Sequence, residues 1–243
     1  MTRLELIALP GLPMVQAGDD LAALVLASGV VPRADDVLVL AQKIVSKAEG
    51  REVLLADVTP SPRAEELAHE TGKDARIVEL ILQESTRVVR TRPNLIIVQH
   101  RLGHTMANAG IDQSNVAPGD EERALLLPLD PDASAAALSD RLGCPVVISD
   151  SFGRAWRRGT VGVAIGCAGL PALVDLRGRP DLFGRELHVT LAGFADEIAA
   201  AAGLLMGQAA EGQPAVIIRG LRWSAPASPA TELVRPAQED LFR

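Results

Sequence analysis

The chain has 243 residues, of which 48% are hydrophobic, so it is long enough to bury a full core without disulfide or metal support. Aromatic residues make up only 2% and Tyr is absent, which argues against nucleic-acid surfaces that stack bases on exposed rings. The formal net charge of -7 likewise disfavours binding to a phosphate backbone, so an anionic ligand must be held locally by a metal ion or a few Arg and Lys side chains.

The composition also indicates the compartment. Cys144 and Cys167 form no CxxC pair and have no His at zinc spacing, so we expect two buried free thiols. The first ten residues lack the long apolar run of a signal peptide, and no stretch approaches about 18 uninterrupted apolar residues. We therefore expect no membrane span and a reducing, cytoplasmic environment.

Short apolar runs alternate with amphipathic stretches, which is typical of a mixed α and β protein. The apolar runs predict strands over Leu4 to Leu9, Val37 to Ala41, Val53 to Val58, Leu95 to Gln99, Val146 to Ser149 and Ala215 to Arg219. Capping residues and helical spacing predict helices from Ser61-Pro62 to Gly72, from Asp74 through Ser85, from Asp130-Pro131 to about Gly143, and from about Ala195 to Met206.

No domain boundary is marked within residues 1–223. Residues 224–243 are richer in Pro, Ser and charge, and they predict a tail or arm that packs on a neighbour. The glycines Gly162, Gly166 and Gly169 do not form a dinucleotide fingerprint, and close backbone packing is their expected role.

A polar stretch from Gln42 to Gly50 follows a predicted buried strand directly. Its two lysines, Lys43 and Lys47, have the charge to neutralise phosphate. The stretch is also in a suitable place, because binding sites often form on loops held by rigid elements. A solvated basic turn has the same composition, so both interpretations stay open.

A second polar stretch runs from Asn108 to Asn115. Asp112 is a hard oxygen ligand suited to Mg²⁺ or Mn²⁺, and the Asn115 amide has the donors and acceptor to bind a nucleotide. A turn whose Asx side chains bond their own backbone is an equally good interpretation of this stretch alone.

The stretch from Ser149 to Thr160 is the strongest candidate for a phosphate site. A carboxylate and a hydroxyl, Asp150 and Ser151, stand at the end of a predicted strand and could ligate Mg²⁺. Three arginines follow, which can grip phosphate or carboxylate with paired hydrogen bonds: Arg154, Arg157 and Arg158. The spacing is not that of a Walker loop.

Two further stretches combine glycine with polar side chains. The segment from Asp175 to Glu186 mixes Arg and Asp, which suits either a clamp for an anionic substrate or a salt-bridged turn. In the segment from Met206 to Gly212, Gly207 ends a predicted helix and Gln208 offers a side-chain oxygen.

Histidine gives little information about chemistry. His69 and His188 are expected on the surface, while His100 and His104 flank residues 101–103 and could touch a ligand. No Ser or Cys partner is arranged for a catalytic triad, so nucleophilic hydrolysis is disfavoured.

Eight stretches occur in an order that, taken together, is highly specific. They are Gly11 to Pro13, Gly18 to Leu21, Ala41 to Gly50, Asn108 to Asn115, Leu127 to Ser134, Ser149 to Thr160, Asp181 to Glu186 and Met206 to Gly212. From about Leu4 to Gly220 the chain resembles the coenzyme F420-0:L-glutamate ligase family.

The resemblance implies a GTP-dependent ligase. Such enzymes join L-glutamate through its amine to the carboxylate on the lactyl-phosphate side chain of F420-0, by way of an acyl phosphate, and then add a further γ-linked glutamate. It also implies an α+β fold of two lobes that intertwines with a second copy as a homodimer.

The resemblance further implies a set of site residues. Divalent Mg²⁺ or Mn²⁺ is bound at positions matching Asp112, Asp150, Ser151 and Gln208, and K⁺ assists. The guanine nucleotide is held at positions matching Leu12, Pro13, Met14, Val15, Gln42, Lys43, Lys47, Asn115, Met206, Gly207, Gln208, Ala209, Ala210, Glu211, Gly212 and Gln213. Because a carboxylate can hold the metal and guanidinium groups can offset charge on the transferred phosphoryl group, we expect four catalytic residues: Asp150, Arg154, Arg157 and Arg158.

Three departures from the family pattern bear on these expectations. Gln208 stands where some relatives carry a carboxylate, and Ser151 replaces the commoner Thr with an equivalent hydroxyl. The chain ends at Arg243, so we expect no additional flavin-binding reductase domain. The alternatives are a related amide ligase acting on another carboxylate and a nucleotide-binding regulatory protein that has lost catalysis.

Overall fold

The computed structural model describes residues 3–113 and 121–240. Within them the protein combines α-helices with several β-sheets, which confirms the predicted α+β class. The strands are β1 (Glu5–Ala8), β2 (Val37–Ala41), β3 (Glu52–Leu54), β4 (Ser85–Arg92), β5 (Leu95–His100), β6 (Thr105–Ala107), β7 (Arg123–Leu125), β8 (Val146–Gly153), β9 (Thr160–Ala168), β10 (Val174–Asp175), β11 (Leu191–Ala192) and β12 (Ala215–Arg219).

The helices pack against these strands. They are α1 (Leu21–Ala27), α2 (Gln42–Ala48), α3 (Pro62–Thr71), α4 (Ala75–Gln83), α5 (Pro131–Leu142) and α6 (Phe194–Met206). Short 3₁₀ turns lie at Leu55–Asp57, Asn108–Gly110, Ala230–Leu233 and Ala237–Glu239.

The main sheet has five strands in the order β1-β12-β2-β8-β9. Strands β2 and β8 are parallel, with Ala41 opposite Ser149, and the other neighbouring pairs are antiparallel. The carboxyl ends of β2 and β8 therefore lie at one edge, which β12 and β9 also reach with their first residues. This edge is called the site edge below.

Two hydrophobic clusters cover the two faces of the main sheet. On one face, Val146 and Ile148 of β8 pack with buried residues of α1, α2 and α5. On the other face, Val147 packs with the buried alanines of α6. The alternation along β8 follows from the period of two residues in a strand, so residues that continue β8 also alternate between the two faces.

A third hydrophobic cluster lies apart from the main sheet. It joins α3 and α4 to the three-stranded sheet β4-β5-β6, with Leu67, Ile81 and Val98 among its fully buried members. Strands β3 and β7 form a separate antiparallel pair that also contributes to this cluster through Ala124.

The predicted helix starts are confirmed. The Ser61 hydroxyl accepts a hydrogen bond from the Ala64 N–H, and Asp74 and Asp130 accept in the same way from Arg76 and Ala133. Side-chain acceptors at these positions satisfy N–H groups that have no partner inside the helix.

Some predicted boundaries are wrong. The predicted strand over Val53 to Val58 forms only as Glu52–Leu54, because the fully buried Leu55 begins a 3₁₀ turn closed by a hydrogen bond from the Val58 N–H. The predicted helix through Ser85 ends at Gln83, and Ser85 begins β4.

The glycines of β9 have the packing role that their spacing indicates. A Cβ atom on Gly162 would lie 2.5 Å from the Ala199 carbonyl oxygen of α6, and one on Gly166 would lie 2.3 Å from the Pro131 carbonyl oxygen of α5. Both helices therefore approach β9 closely because these positions carry no side chain.

The described part of the C-terminal segment packs on its own chain. The backbone N–H groups of Ala230 and Thr231 donate to the Asp132 carboxylate at the start of α5, and Ala230 is fully buried. Both cysteines are buried and free, as expected. Among the described residues, no helix has the length and apolar character needed to cross a membrane.

Candidate active site

Polar residues from separate parts of the chain meet at the site edge. The first group belongs to α2, which begins directly after β2. The sequence left this stretch open between a phosphate-binding loop and a basic turn, whereas the structure places it in a helix with Gln42 2% and Lys47 6% exposed. Burial lowers the pKa of Lys47, and the nearby positive charge of Lys43 lowers it further, while Glu52 opposes both effects. Lys47 lies beside the site edge although burial removes water from its ammonium group. A buried positive charge of this kind indicates a site that binds negative charge.

Asp112 is the centre of a small polar cluster with α2. Its Oδ2 atom lies 3.3 Å from Lys43 Nζ and 3.4 Å from Gln42 Nε2. The Gln42 side-chain oxygen Oε1 in turn accepts a hydrogen bond of 2.9 Å from the Ser46 hydroxyl. The Gln42 amide is thus oriented within α2 and holds the Asp112 carboxylate.

Asp112 owes its position to a left-handed turn. Asn108 and Ala109, with φ of 50° and 53°, adopt the conformation that side chains usually avoid, and Gly110 continues it. The Asn108 side-chain oxygen accepts a hydrogen bond of 3.1 Å from the Ile96 N–H of β5, which fastens the turn. Reciprocal backbone hydrogen bonds between Asp112 and Leu125 then fix the backbone of Asp112, two residues after the turn.

Asp150 lies on β8 two residues after Ile148, on the same face of the sheet as α2. Its pKa is raised to about 6, first because the carboxyl group is withdrawn from water and then because the charge of Asp112 is near; the Ser151 N–H and Lys43 act in the opposite direction. Two carboxylates that repel each other beside one lysine form a site that favours a further cation.

Ser151 belongs to a different cluster. It points to the opposite face of β8, where its hydroxyl lies 2.5 Å from the Gln208 side-chain oxygen, and Thr160 Oγ1 lies 3.5 Å from the same oxygen. Gln208 reaches this place because Gly207 ends α6 with φ 70° and ψ −171°, and a Cβ on Gly207 would lie 2.1 Å from Glu211.

The four predicted metal ligands therefore form two pairs, one on each face of β8. Asp112 and Asp150 face α2, whereas Ser151 and Gln208 face the end of α6. Each pair consists of oxygen donors, the ligand type that Mg²⁺ and Mn²⁺ prefer, so the residues fit such ions. Within the described ranges, no three His, Cys, Asp or Glu residues gather as a metal-binding group, and hydroxyl and amide oxygens would have to complete the set.

The predicted nucleotide residues reach the site edge from two loops. The loop that holds Leu12, Pro13, Met14 and Val15 begins at this edge, where the Leu9 N–H donates to the Ala215 carbonyl, and it is tied to the end of α2 by the Gly18 N–H.

The second loop, residues 206–213, returns to the same edge before β12 begins. Within it, the Glu211 carboxylate accepts from the Ala209 N–H, which lowers the pKa of Glu211. The side-chain oxygen of Gln213 is buried and has no hydrogen-bond partner among the described residues, so it is an acceptor with capacity for a ligand. Asn115 lies outside the described residues.

The three arginines predicted as catalytic lie on the turn of the β8–β9 hairpin. Arg154, Arg157 and Arg158 are all exposed, and a hydrogen bond of 3.4 Å joins Arg154 to the Gly159 carbonyl. The turn extends beyond the site edge. The three arginine side chains therefore lie near the site edge but do not contact the Asp112 and Asp150 carboxylates. Trp156 on the same turn is 88% exposed and has a φ of 66°.

The segment from Asp175 to Glu186 lies elsewhere. Strand β10 follows the end of β9, which is opposite the site edge. Arg177 forms a salt bridge of 2.6 Å with Asp175, and Asp181 accepts from the backbone N–H groups of Phe183 and Arg185. The segment therefore forms the salt-bridged turn and does not lie at the site edge of the same chain, while the clamp for an anionic substrate stays a prediction.

Sequence reasoning missed a buried ionic cluster around Glu84. This carboxylate accepts hydrogen bonds of 2.9 Å from both Arg51 and Arg101, and fully buried His100 lies 3.4 Å away. The signal available in the sequence was a Glu at an apolar position of the α4 pattern. His100 is thus part of the protein interior, whereas His104 packs against Phe152 and lines a cavity.

Comparison with known proteins decides what this arrangement belongs to. The model of the F420-0:gamma-glutamyl ligase family matches residues 11–220, which is most of the chain. The chain belongs to this family. The matched range includes β2, β8 and the loops that form the site edge.

Relatives of the F420-0:gamma-glutamyl ligase family align with this chain from end to end. The coenzyme F420:L-glutamate ligase of Methanothermobacter thermautotrophicus is 46% identical over 99% of both chains. The protein of the same name from Methanopyrus kandleri is 47% identical over 94% of this chain and 93% of its own. That from Archaeoglobus fulgidus is 46% identical over 99% and 97%.

Proposed function

We propose that this protein is a GTP-dependent ligase that adds L-glutamate to coenzyme F420-0. The observation that carries the proposal is the Asp112, Asp150 and Lys43 cluster at the site edge of a chain in the F420-0:gamma-glutamyl ligase family. Near full-length identity of 46% to proteins named coenzyme F420:L-glutamate ligase supports the choice of substrates.

The reaction needs an activated acyl group, because a carboxylate is a poor acyl donor in water. A carboxylate oxygen of F420-0 attacks the γ-phosphorus of GTP, the bond to the β-phosphate oxygen breaks, and GDP leaves. The amine of L-glutamate then attacks the acyl carbon, inorganic phosphate leaves, and the amine proton passes to solvent or phosphate. A second round extends the product through the γ-carboxylate of the added glutamate.

The protein's part in this reaction is positioning and charge neutralisation. We assign Asp112 and Asp150 to one divalent cation, and Ser151 and Gln208 to a second one on the other face of β8. Bound Mg²⁺ or Mn²⁺ would offset phosphate charge and orient the phosphoryl group, and K⁺ would assist. Gln42 and Ser46 keep the Asp112 carboxylate turned toward the site.

The nucleotide would occupy the space bounded by residues 12–15, α2 and residues 206–213. Lys43 and Lys47 supply positive charge along α2, and the exposed arginines of the β8–β9 hairpin turn supply it from above the site edge. We assign Arg154, Arg157 and Arg158 to the charge that develops on the transferred group, which requires the hairpin turn to close over the site.

The proposed assembly is a cytoplasmic homodimer of two-lobed chains that intertwine, with neither nucleic acid nor membrane as a partner. Leu182, Phe183 and Val189 support an assembly because they are 98%, 89% and 85% exposed on the segment between β10 and β11. A cluster of exposed apolar side chains on one segment is typical of a surface that another chain covers.

Release of phosphate from GTP tests the proposed activity. We expect phosphate to appear only when F420-0 and L-glutamate are both present, because the acyl phosphate forms on one substrate and is consumed by the other. Omission of either substrate is the control. Phosphate release that continues at the full rate without F420-0 would identify a GTPase instead, and no release under any condition would favour a protein that only binds nucleotide.

A further inference from the structure

The turn of the β8–β9 hairpin, residues 154–159, carries an exposed tryptophan that the proposed metal and nucleotide contacts do not use. Trp156 is 88% exposed, whereas Trp223 packs on Phe194 with 6.0 Å between the ring centroids. Aromatic residues make up only 2% of the chain, and one of its two tryptophans stands in water. A large apolar ring in this position is typical of a surface that a ligand or partner covers.

The backbone of Trp156 supports a binding role. Its φ of 66° lies in the left-handed region, which bulky side chains rarely occupy. Such a conformation costs free energy, and residues that keep it are concentrated at binding and active sites. The turn thus presents a large ring at a position where glycine would fit more easily.

The turn is also strongly basic. Arg154, Arg157 and Arg158 are exposed, and no Asp or Glu occurs from residue 151 to residue 174. Arg157 and Arg158 form no hydrogen bond or salt bridge with residues 3–113 and 121–240. In a chain with a net charge of -7, this turn therefore favours a ligand that combines a planar ring with negative charge.

The turn overhangs the site edge. Strand β8 continues to Gly153, four residues beyond Ser149, which lies opposite the last residue of β2. The strand therefore extends roughly 13 Å past that point. Asp150 lies at the inner end of this extension, and Trp156 lies beyond its outer end. A ligand that contacts both must carry its reacting group far from its ring.

We infer that Trp156 stacks on the deazaflavin ring of F420-0, while the acidic side chain of F420-0 runs along the hairpin toward Asp150. This inference rests on the proposed function. The acceptor has the required form, because its reacting carboxylate is at the end of the lactyl-phosphate side chain, away from the ring. The guanine ring of GTP has its proposed contacts in residues 12–15 and 206–213, so the ring left for Trp156 is that of the acceptor.

Steady-state ligation by Trp156→Ala tests the stacking. We expect kcat/KM for F420-0 to fall about tenfold or more, with KM for GTP and L-glutamate unchanged, because a ring contact to one substrate is lost. Trp156→Phe should recover most of the loss, since it keeps a ring. Val31→Ala is the control, because it shortens an exposed apolar side chain outside the hairpin, and it should match the unsubstituted protein.

Two further measurements separate the ring from fold and charge. Trp156→Gly should lose as much kcat/KM as Trp156→Ala, with a thermal midpoint no lower than that of the unsubstituted protein, because glycine suits a φ of 66°. Phospholactate, which has the acidic side chain without the ring, should inhibit Trp156→Ala and the unsubstituted protein equally.

Four outcomes overturn the inference. They are an unchanged kcat/KM for F420-0 in Trp156→Ala, a raised KM for GTP instead, weaker inhibition of that variant by phospholactate, and a change in its oligomeric mass. The last result would place Trp156 in an interface between two copies of the chain.

A protein that forms no product would fail the proposed function, and the ring contact is then tested by binding alone. Calorimetric titration with F420-0 should give a Kd that Trp156→Ala raises about tenfold, while Val31→Ala leaves it unchanged. Equal Kd values for Trp156→Ala and the unsubstituted protein, or no binding to either, contradict the inference.

Discussion

Asp150 and Asp112 are the residues on which the proposed chemistry depends. They come from a strand and from a distant turn, and the charge of Asp112 makes ionisation of Asp150 less favourable, while Lys43 and the Ser151 N–H act in the opposite direction. Such a pair is costly to keep in a fold and useful when a cation binds between the two carboxylates.

Asp150→Asn should lower ligation by at least about a hundredfold, because it removes the charge that binds the divalent cation. In the absence of metal, its thermal midpoint should not fall, because the substitution also relieves repulsion from Asp112. Asp140→Asn, on the exposed surface of α5, is the control and should keep full activity. Mass spectrometry of the product together with thermal unfolding separates loss of chemistry from loss of fold, and near-normal turnover by Asp150→Asn would refute the metal assignment.

Glu84 determines a pH dependence of stability. Desolvation alone would raise its pKa, but His100 at 3.4 Å, the hydrogen bond from Arg51 and the charges of Arg51 and Arg101 lower it to about 2. Because the folded pKa is depressed, the contribution to stability is complete above the unfolded value of 4.5 and is lost as pH falls toward about 2.

Glu84→Gln should therefore cost about 3 kcal/mol of unfolding free energy at pH 7 and less at pH 3. Urea denaturation of both proteins at several pH values measures the difference. Glu66→Gln, on the exposed face of α3, is the control and should change stability little at any pH. A difference between Glu84→Gln and the unsubstituted protein that stays constant from pH 7 to pH 3 would contradict the role given to this carboxylate.

At the scale of elements, the left-handed turn Asn108–Gly110 connects β6 to Asp112. Asn108→Ala should destabilise the protein by about 1–2 kcal/mol, because it loses the hydrogen bond to the Ile96 N–H and keeps the unfavourable φ. It should also weaken Mn²⁺ binding, since Asp112 is no longer held in place.

Asn94→Ala is a matched control for the turn. Asn94 has a similar φ of 64° in the β4–β5 turn but is far from Asp112 in the chain. We expect it to cost stability through its backbone alone and to leave Mn²⁺ affinity unchanged in calorimetric titration. Equal Mn²⁺ affinity for Asn108→Ala and the unsubstituted protein would show that the turn does not position Asp112.

The predictability of the elements follows from what determines each one. Strands β2 and β12 were predicted at their true bounds, because fully buried strands are continuous apolar runs and need no partner to be seen. Helices α3 and α5 carry side-chain caps and a following glycine, which are local signals. By contrast, α2 is short and begins without a side-chain cap, so its sequence suggested a polar loop.

The site was predictable by residue type but not by arrangement. Asp112, Asp150, Ser151 and Gln208 were all identified as oxygen donors at the ends of elements. Their division between the two faces of β8 depends on the strand continuing to Gly153, beyond the predicted end at Ser149. The cavity beside His104 depends on the C-terminal segment folding back over the β5–β6 turn, a long-range contact without a local signal.

At the scale of the whole molecule, assembly is the first prediction. Light scattering at micromolar concentration should give twice the chain mass of 25.6 kDa. Serine at both Leu182 and Phe183 should shift the protein to monomer, because these side chains are almost fully exposed in the single chain. Val31→Ser, an exposed apolar residue on a different surface, is the control. A monomeric mass for the unsubstituted protein would contradict the proposed homodimer.

Family membership and the oxygen clusters at the site edge lead to one central claim, that this protein forms an amide between F420-0 and L-glutamate. Mass spectrometry of F420-0 incubated with the protein, GTP, Mn²⁺ and L-glutamate tests it most directly. We predict products heavier by one or more glutamyl units, formed only when GTP is present. Unchanged F420-0 in the presence of well-folded protein and all other components would contradict the claim.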